Sequence, residues 1–231
     1  GRNLYLTLDV SLQNLAVTAL AGRKGAIVAL DPQTGGVLAM VSTPSYDPNL
    51  FVNGISTVDY NALLNSKGIP LLNRALQGKY PPGSTVKPFL ALAALNFGVR
   101  TVPDQTWCPG WYALKGSSHQ YRDWKKGGHG HLNLTQAVAQ SCDVFFYSLA
   151  QDLGIDRLHA AFDRFGFGRP TGIDIGGESK GLVPSRAWKQ QALQQPWYPG
   201  ETLIMGIGQG YLQATPAQQA LAPALMPSSG P

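Results

Sequence analysis

Apolar positions along the chain change period several times, and each change marks a candidate element. Residues 4–8 read as a short strand, after which Asp9 caps an apolar-periodic stretch through Leu20 with helical spacing. Residues 26–30 and 37–41 are β-rich runs either side of Asp31-Pro32-Gln33-Thr34-Gly35-Gly36, which predicts a hairpin. Between Asn49 and Gly83, short apolar pieces are broken by polar residues, glycine and proline, and Tyr80-Pro81-Pro82-Gly83 leads into Ser84. A helix is expected from Ser84, turning Phe89, Leu90, Leu92, Ala93 and Leu95 inward and ending at Gly98.

From Thr101 to His131 no period is sustained, which predicts a long ordered loop packed by Trp107, Trp111, Tyr112, Tyr121 and Trp124, with a sugar or peptide platform as the alternative. Helical spacing returns over 135–140, 143–153 and 156–165, with Gly154 and Gly166 as stops. Residues 172–175 suit a short strand, Ser185 a helix cap through Leu193, and Thr215-Pro216 a cap and first turn. Pro223 and the closing Met226-Pro227-Ser228-Ser229-Gly230-Pro231 break the last helix, so the end reads as truncated, engineered or spliced. Gly206-Ile207-Gly208-Gln209-Gly210 meets neither dinucleotide nor Walker spacing and reads as close backbone packing. Asn133-Leu134-Thr135 fits a glycosylation sequon, and a capping Asn133 accounts for it more plainly.

Composition narrows the class. A chain of 231 residues can bury a core without a cysteine framework, and 13% charged against 44% hydrophobic residues excludes disorder, coiled coil and collagen. The net charge of +5 is scattered rather than gathered, which argues against a nucleic-acid partner and fits a polyanionic matrix such as a cell wall or anionic membrane surface. The longest apolar run, residues 88–99, is too short for a membrane span, and no signal-peptide pattern opens the chain. Any anchor is therefore expected outside it. Cys108 and Cys142 are too few to decide a redox compartment.

Two constellations carry chemistry. Ser84-Thr85-Val86-Lys87 places a hydroxyl and an amine one turn apart at a helix start, where a desolvated lysine can take the proton of a weakly nucleophilic serine. The helix N-terminus adds N–H groups aimed at developing negative charge. A capping serine followed by a solvated lysine is the plain alternative. Separately, Cys108, Asp123, His129 and Cys142 all have metal-ligand chemistry, and a tetrahedral zinc ion would tether the non-periodic loop. Two buried thiols, or a disulfide between Cys108 and Cys142, remain open beside zinc. His131 and His119 are reserve ligands, and His159 reads as a surface or packing residue.

The serine tetrad lies within residues 73–88, where Tyr80-Pro81-Pro82-Gly83-Ser84-Thr85-Val86-Lys87-Pro88 resembles the nucleophile segment of the transpeptidase-class penicillin-binding proteins. Thr7-Leu8-Asp9, the hairpin around Asp31-Pro32, Pro44-Ser45-Tyr46-Asp47-Pro48-Asn49, Gly206-Ile207-Gly208-Gln209-Gly210 and Ala214-Thr215-Pro216 extend the likeness over about residues 1–222. Together they resemble the elongation-specific class B branch, the penicillin-binding protein 2 family. Its second motif is matched by Ser141-Cys142-Asp143; Ser45-Tyr46-Asp47 has the same form, and Ser141 is preferred for its place between two expected helices. Ser141 or Asp143 could instead cap the following helix. The third motif, Lys-Ser/Thr-Gly, is absent: the chain has Lys115-Gly116-Ser117 and Lys180-Gly181.

The resemblance implies an α/β (α+β) fold of the penicillin-binding-protein and serine β-lactamase type, a mainly antiparallel sheet covered by helices, with its C-terminal strands missing. Residues 1–231 would then be an incomplete transpeptidase domain, with the membrane anchor and N-terminal domain elsewhere and the hairpin edges exposed or partnered. It implies a peptidoglycan D,D-transpeptidase with Ser84 as nucleophile, Lys87 as base, and Ser141 and Asp143 as the second motif. No catalytic cofactor is implied; some relatives carry zinc beside the second motif. The implied partners are stem peptides, β-lactams, a glycan-polymerising membrane enzyme and other elongation-complex proteins, at the periplasmic face of the bacterial inner membrane. The alternatives are a serine β-lactamase or β-lactam sensor, and a metal-stabilised binding scaffold left inactive without its third motif.

Overall fold

The computed structural model describes residues 2–226, so the abrupt end expected over 227–231 lies outside the described residues. The chain divides into two compact units. One runs to Tyr80 and adds Arg169–Lys180 and the stretch from Ala214; the other comprises Pro81–Gly168 and Gly181–Gln213.

In the first unit, Asp9 accepts the N–H of Leu12 and starts helix α1, Val10–Leu20. Strands β1, Gly25–Leu30, and β2, Val37–Thr43, form the expected antiparallel hairpin with Gly25 opposite Thr43. Its outer edge is not bare. Thr7 Oγ1 donates to the Val37 carbonyl at 2.7 Å, Asp9 N–H to Leu38 at 2.9 Å, and the Gln13 side chain clamps both backbone groups of Met40. These isolated bonds replace a ladder, so residues 4–8 form no strand, and Leu4, Tyr5 and Leu6 are exposed.

Helices α2, Thr57–Leu64, and α3, Arg74–Gln77, arise where no period was evident, each from an N-cap, Ser56 and Asn73. The last helix of this unit, Pro216–Ala224, carries the Thr215–Gln218 capping box, and Pro223 lies within its final turn. The Gln218 side chain reaches the carbonyls of Arg169 and Lys180, and the segment between them, including 172–175, is irregular with a bend at 174–176 rather than the expected strand.

In the second unit, the 3₁₀ turn Gly83–Val86 runs into α4, Lys87–Asn96. Phe89, Leu90 and Ala93 are buried as expected, but Leu92 and Leu95 are about two-fifths exposed, and the small Ala91 and Ala94 take the inward places. The two helices expected either side of Gly154 are present, joined as α6, Asp143–Arg164, across a break where Gly154 leaves helical geometry at φ 72° and ψ 164°. Phe145, Phe146, Leu149, Leu158 and Phe162 of α6 meet α4 and a short helix, Pro199–Met205, in the core. Each such side chain contributes about 2 kcal/mol of burial.

The loop expected over 101–131 is two nested pairs of very short strands. β3, Thr106–Cys108, pairs with β6, Gly130–Leu132, and between them β4, Trp111–Tyr112, pairs with β5, Tyr121–Arg122. Gly128 makes the close approach possible: at φ 71°, a Cβ there would stand 2.1 Å from the Cys108 carbonyl oxygen. Helix α5, Leu134–Ala139, follows with an Asn133–Gln136 capping box, and Ser185 caps Arg186–Leu193 as expected. No helix among the described residues is long and apolar enough to cross a membrane.

Candidate active site and metal centre

Ser84 and Lys87 share the 3₁₀ turn rather than an α-helical one, with the Lys87 N–H donating to the Ser84 carbonyl. Because positions i and i+3 eclipse in a 3₁₀ turn, the tighter geometry sets the two side chains one above the other. Ser84 is exposed, while the Lys87 side chain is 1% exposed.

The glycine run supports this turn. Gly83 N–H donates to the Gly208 carbonyl at 2.8 Å, and at φ 72° a Cβ on Gly208 would lie 2.1 Å from the Gly83 carbonyl oxygen. Gly208→Ala is therefore expected to cost about 2 kcal/mol or more and to displace the Ser84 turn, read as a lowered melting temperature and shifted backbone resonances around Ser84. Gly206 is similarly tight, its Cβ position lying 2.5 Å from Ala150 Cβ, so the glycines serve close packing as the spacing implied.

Lys87 Nζ gathers Ser141 and Asp143. It lies 2.6 Å from Asp143 Oδ1, 3.0 Å from Ser141 Oγ and 2.8 Å from the Ser141 carbonyl oxygen, and 5.4 Å from the centre of the Phe146 ring. Ser141 joins α5 to α6 at φ 51°, a left-handed conformation costing a non-glycine residue about 1–2 kcal/mol. Neither Ser141 nor Asp143 caps α6: the cap is Cys142, whose sulfur accepts the Phe145 N–H at 3.3 Å. The competing Ser45-Tyr46-Asp47 has a different job, with Asp47 capping the 3₁₀ turn Pro48–Phe51.

Trp124, which the sequence marked only as an aromatic of the loop, also touches this motif. Its backbone N–H donates to Asp143 Oδ2 at 3.3 Å, and its indole N–H is shared between the carbonyls of Ser141 and Gln140 at 3.2 and 3.3 Å. The only sequence signal was its place beside Asp123. Trp107, Trp111 and Trp124 are exposed, yet Trp107 packs on His131 and Trp124 on His129, while Tyr112 and Tyr121 pack on Tyr147, so the expected loop packing is shared among them.

Cys108 on β3, Asp123 after β5, His129 before β6 and Cys142 at the start of α6 bring one ligand atom each within 4.8 Å of all the others. Asp123 is the hub: its oxygens lie 3.7 Å from Cys108 Sγ, 3.4 Å from Cys142 Sγ and 3.1 Å from His129 Nε2. Bonds of about 2.3 Å to sulfur and 2.0 Å to nitrogen or oxygen put ligands of tetrahedral zinc about 3.3–3.8 Å apart; these four atoms, all within 4.8 Å, are of the donor types that ion takes, in a somewhat looser set. Gln140 Oε1, 3.1 Å from His129 Nδ1, holds the other side of the imidazole as an outer partner of a metal-bound histidine does.

Both cysteines are free and buried. Burial, the neighbouring Cys108 and the Asp123 charge push the Cys142 thiol well above its ordinary range, despite the Phe145 N–H. For Asp123, burial alone would raise the carboxyl, but the N–H groups of Lys125 and Val144, with Cys142 and His129, hold it below the usual carboxylate range. The reserve ligands stay out: His131 packs on Trp107 and His119 on Tyr121, while His159 meets the Pro184 carbonyl.

The penicillin binding protein transpeptidase domain family matches residues 25–229. Among curated proteins, the peptidoglycan D,D-transpeptidase MrdA of Escherichia coli K12 is 54% identical over 230 residues, covering all of this chain and 36% of that protein. The chain thus spans about a third of the length of the curated relatives it matches. The crystal structure of Pseudomonas aeruginosa PBP2 in complex with WCK 5153 superposes with a TM-score of 0.93 at 56% identity, covering 97% of this chain and 51% of that one. Helicobacter pylori PBP2, solved as a complex with MreC, gives 0.87 at 39% identity, covering 92% and 40%. With the family match spanning most of the chain and a relative 54% identical along all of it, the chain belongs to the penicillin-binding protein transpeptidase family.

Proposed function

We propose that this chain is the nucleophile-bearing part of a peptidoglycan D,D-transpeptidase of cell elongation, acting through a serine acyl-enzyme. Ser84 Oγ attacks the penultimate D-alanine carbonyl of a D-Ala-D-Ala stem peptide and its proton passes to Lys87 Nζ. The peptide C–N bond breaks, and Ser141 Oγ relays the proton from Lys87 to the departing D-alanine amine. An amine of a neighbouring stem then attacks the ester, forming the cross-link and returning the proton to Ser84. The observation that carries this reading is the enclosed Lys87 Nζ, 3.0 Å from Ser141 Oγ and one 3₁₀ turn from Ser84. Asp143, 2.6 Å away, supplies the counter-charge when the amine takes up the proton. A penicillin presents the same carbonyl, but its leaving nitrogen stays tethered, so the Ser84 ester persists.

Cys108, Asp123, His129 and Cys142 hold a structural zinc ion in this reading, which ties the nested strands to the start of α6 and supplies no reaction step. The partners in this reading are stem peptides and β-lactams at Ser84, a glycan-polymerising membrane enzyme and other elongation-complex proteins; Helicobacter pylori PBP2, solved in complex with MreC, supports protein partners of this kind. The place is the periplasmic face of the inner membrane, and residues 1–231 form part of one transpeptidase domain. The second reading is a binding scaffold without turnover. Intact mass after incubation with a penicillin, followed by digestion, separates them. One adduct on the peptide containing Ser84 is the expected result; no adduct favours the scaffold, and repeated release of opened antibiotic favours a β-lactamase or sensor.

A further inference from the structure

The Ser141 carbonyl is unusual in accepting from two side chains at once. Lys87 Nζ approaches at 2.8 Å and the Trp124 indole N–H at 3.2 Å, on a residue held at φ 51°. The same two residues divide the Asp143 carboxylate, Oδ1 meeting Lys87 and Oδ2 the Trp124 backbone N–H. A left-handed serine persists only where its surroundings over-determine it, and here Lys87 and Trp124 do so. In the proposed acylation Lys87 changes protonation state, whereas Trp124 stays neutral and is fixed by its neighbour Asp123, which accepts the Val144 N–H at 3.0 Å.

We propose that Trp124 is a positioning residue: its indole N–H keeps the Ser141 carbonyl and hydroxyl in place for Lys87 while the lysine exchanges its proton. It acts through Ser141 and Asp143, not on substrate, and the proposal rests on the acylation of Ser84 proposed above. Trp124→Phe keeps an aromatic ring and the backbone bond to Asp143 but deletes the shared donor. Stopped-flow labelling with a fluorescent penicillin, on protein that carries the complete transpeptidase domain, should show the first-order acylation constant falling about tenfold. The non-covalent dissociation constant, melting temperature and zinc content should match the parent.

An unchanged constant overturns the proposal. So does a loss confined to the labelled fraction, with the remainder reacting at the parent rate, because that marks a folding role. If the parent itself is not labelled at Ser84, the functional reading fails, and amide exchange decides the positioning role alone. The Ser141 and Cys142 amides, bonded to the Val138 and Ala137 carbonyls, should exchange about tenfold faster in Trp124→Phe. Equal exchange overturns it.

Discussion

Lys87→Met is expected to slow acylation of Ser84 by about 10²- to 10⁴-fold, the range lost when a positioned general base is removed. Methionine fills much of the same space, so the change removes the amine rather than opening a cavity. Its stability cost comes from what it leaves behind. The Asp143 carboxylate loses a partner at 2.6 Å, the Ser141 carbonyl loses one of its two donors, and Ser141 Oγ loses a bond at 3.0 Å. Stranding one member of a fully enclosed ion pair costs about 3–5 kcal/mol. Asp143 is 15% exposed and keeps the Trp124 N–H, so about 2 kcal/mol is the expected figure here. Labelling kinetics with a fluorescent penicillin and a denaturant melt separate the two effects. A variant that keeps the parent acylation rate while losing stability would leave Lys87 a structural ion-pair partner only.

The serine tetrad was legible because its chemistry sits in four consecutive residues. The turn type was not, since Gly83 and the packing of Gly208 on it select 3₁₀ over α, and neither shows in a local hydrophobic period. That Cys108, Asp123, His129 and Cys142 come together was legible from residue type, since all four offer metal-ligand chemistry. The strands around them were hidden, because runs as short as Trp111–Tyr112 and Tyr121–Arg122 leave no alternation to detect. Trp124 was invisible as a site residue for a different reason: its partners are mostly backbone carbonyls, and sequence names side chains.

The hairpin edge shows the same limit. Gln13 lies inside the stretch whose apolar spacing predicts a helix, and nothing in that spacing shows that its amide replaces a neighbouring strand at Met40. On α4, periodicity alone placed Leu92 and Leu95 inward, while the approach of α6 selects the alanines. In the second unit, α6 is where these threads meet. Its cap, Cys142, belongs to the metal set; the residues either side, Ser141 and Asp143, hold Lys87; and Phe145 and Phe146 enter the core. Disturbing the cluster should therefore reach Lys87 through one or two covalent links.

Removing the zinc ion proposed for this cluster is accordingly expected to lower the melting temperature by about 8–16 °C. A site filled at about a thousand times its dissociation constant stabilises the folded state by about 4 kcal/mol, and in a protein of this size each kcal/mol shifts the midpoint by about 2–4 °C. The direction follows from the ligands. Without a cation, burial, Cys108 and the Asp123 charge favour the protonated Cys142 thiol, so departure of the ion is accompanied by proton uptake and leaves four buried polar side chains to satisfy one another. The nested strands, too short to stand alone, should loosen first, followed by the start of α6 and the Lys87 contacts. Calorimetry before and after chelation, with zinc counted by elemental mass spectrometry, provides the measurement. Readdition of zinc should restore the midpoint, while acylation of Ser84 should fall and recover with it. Purified protein that contains no zinc, and whose midpoint is indifferent to chelator and to added zinc, would leave Cys108 and Cys142 as buried thiols and Asp123 as the sole organiser of the cluster.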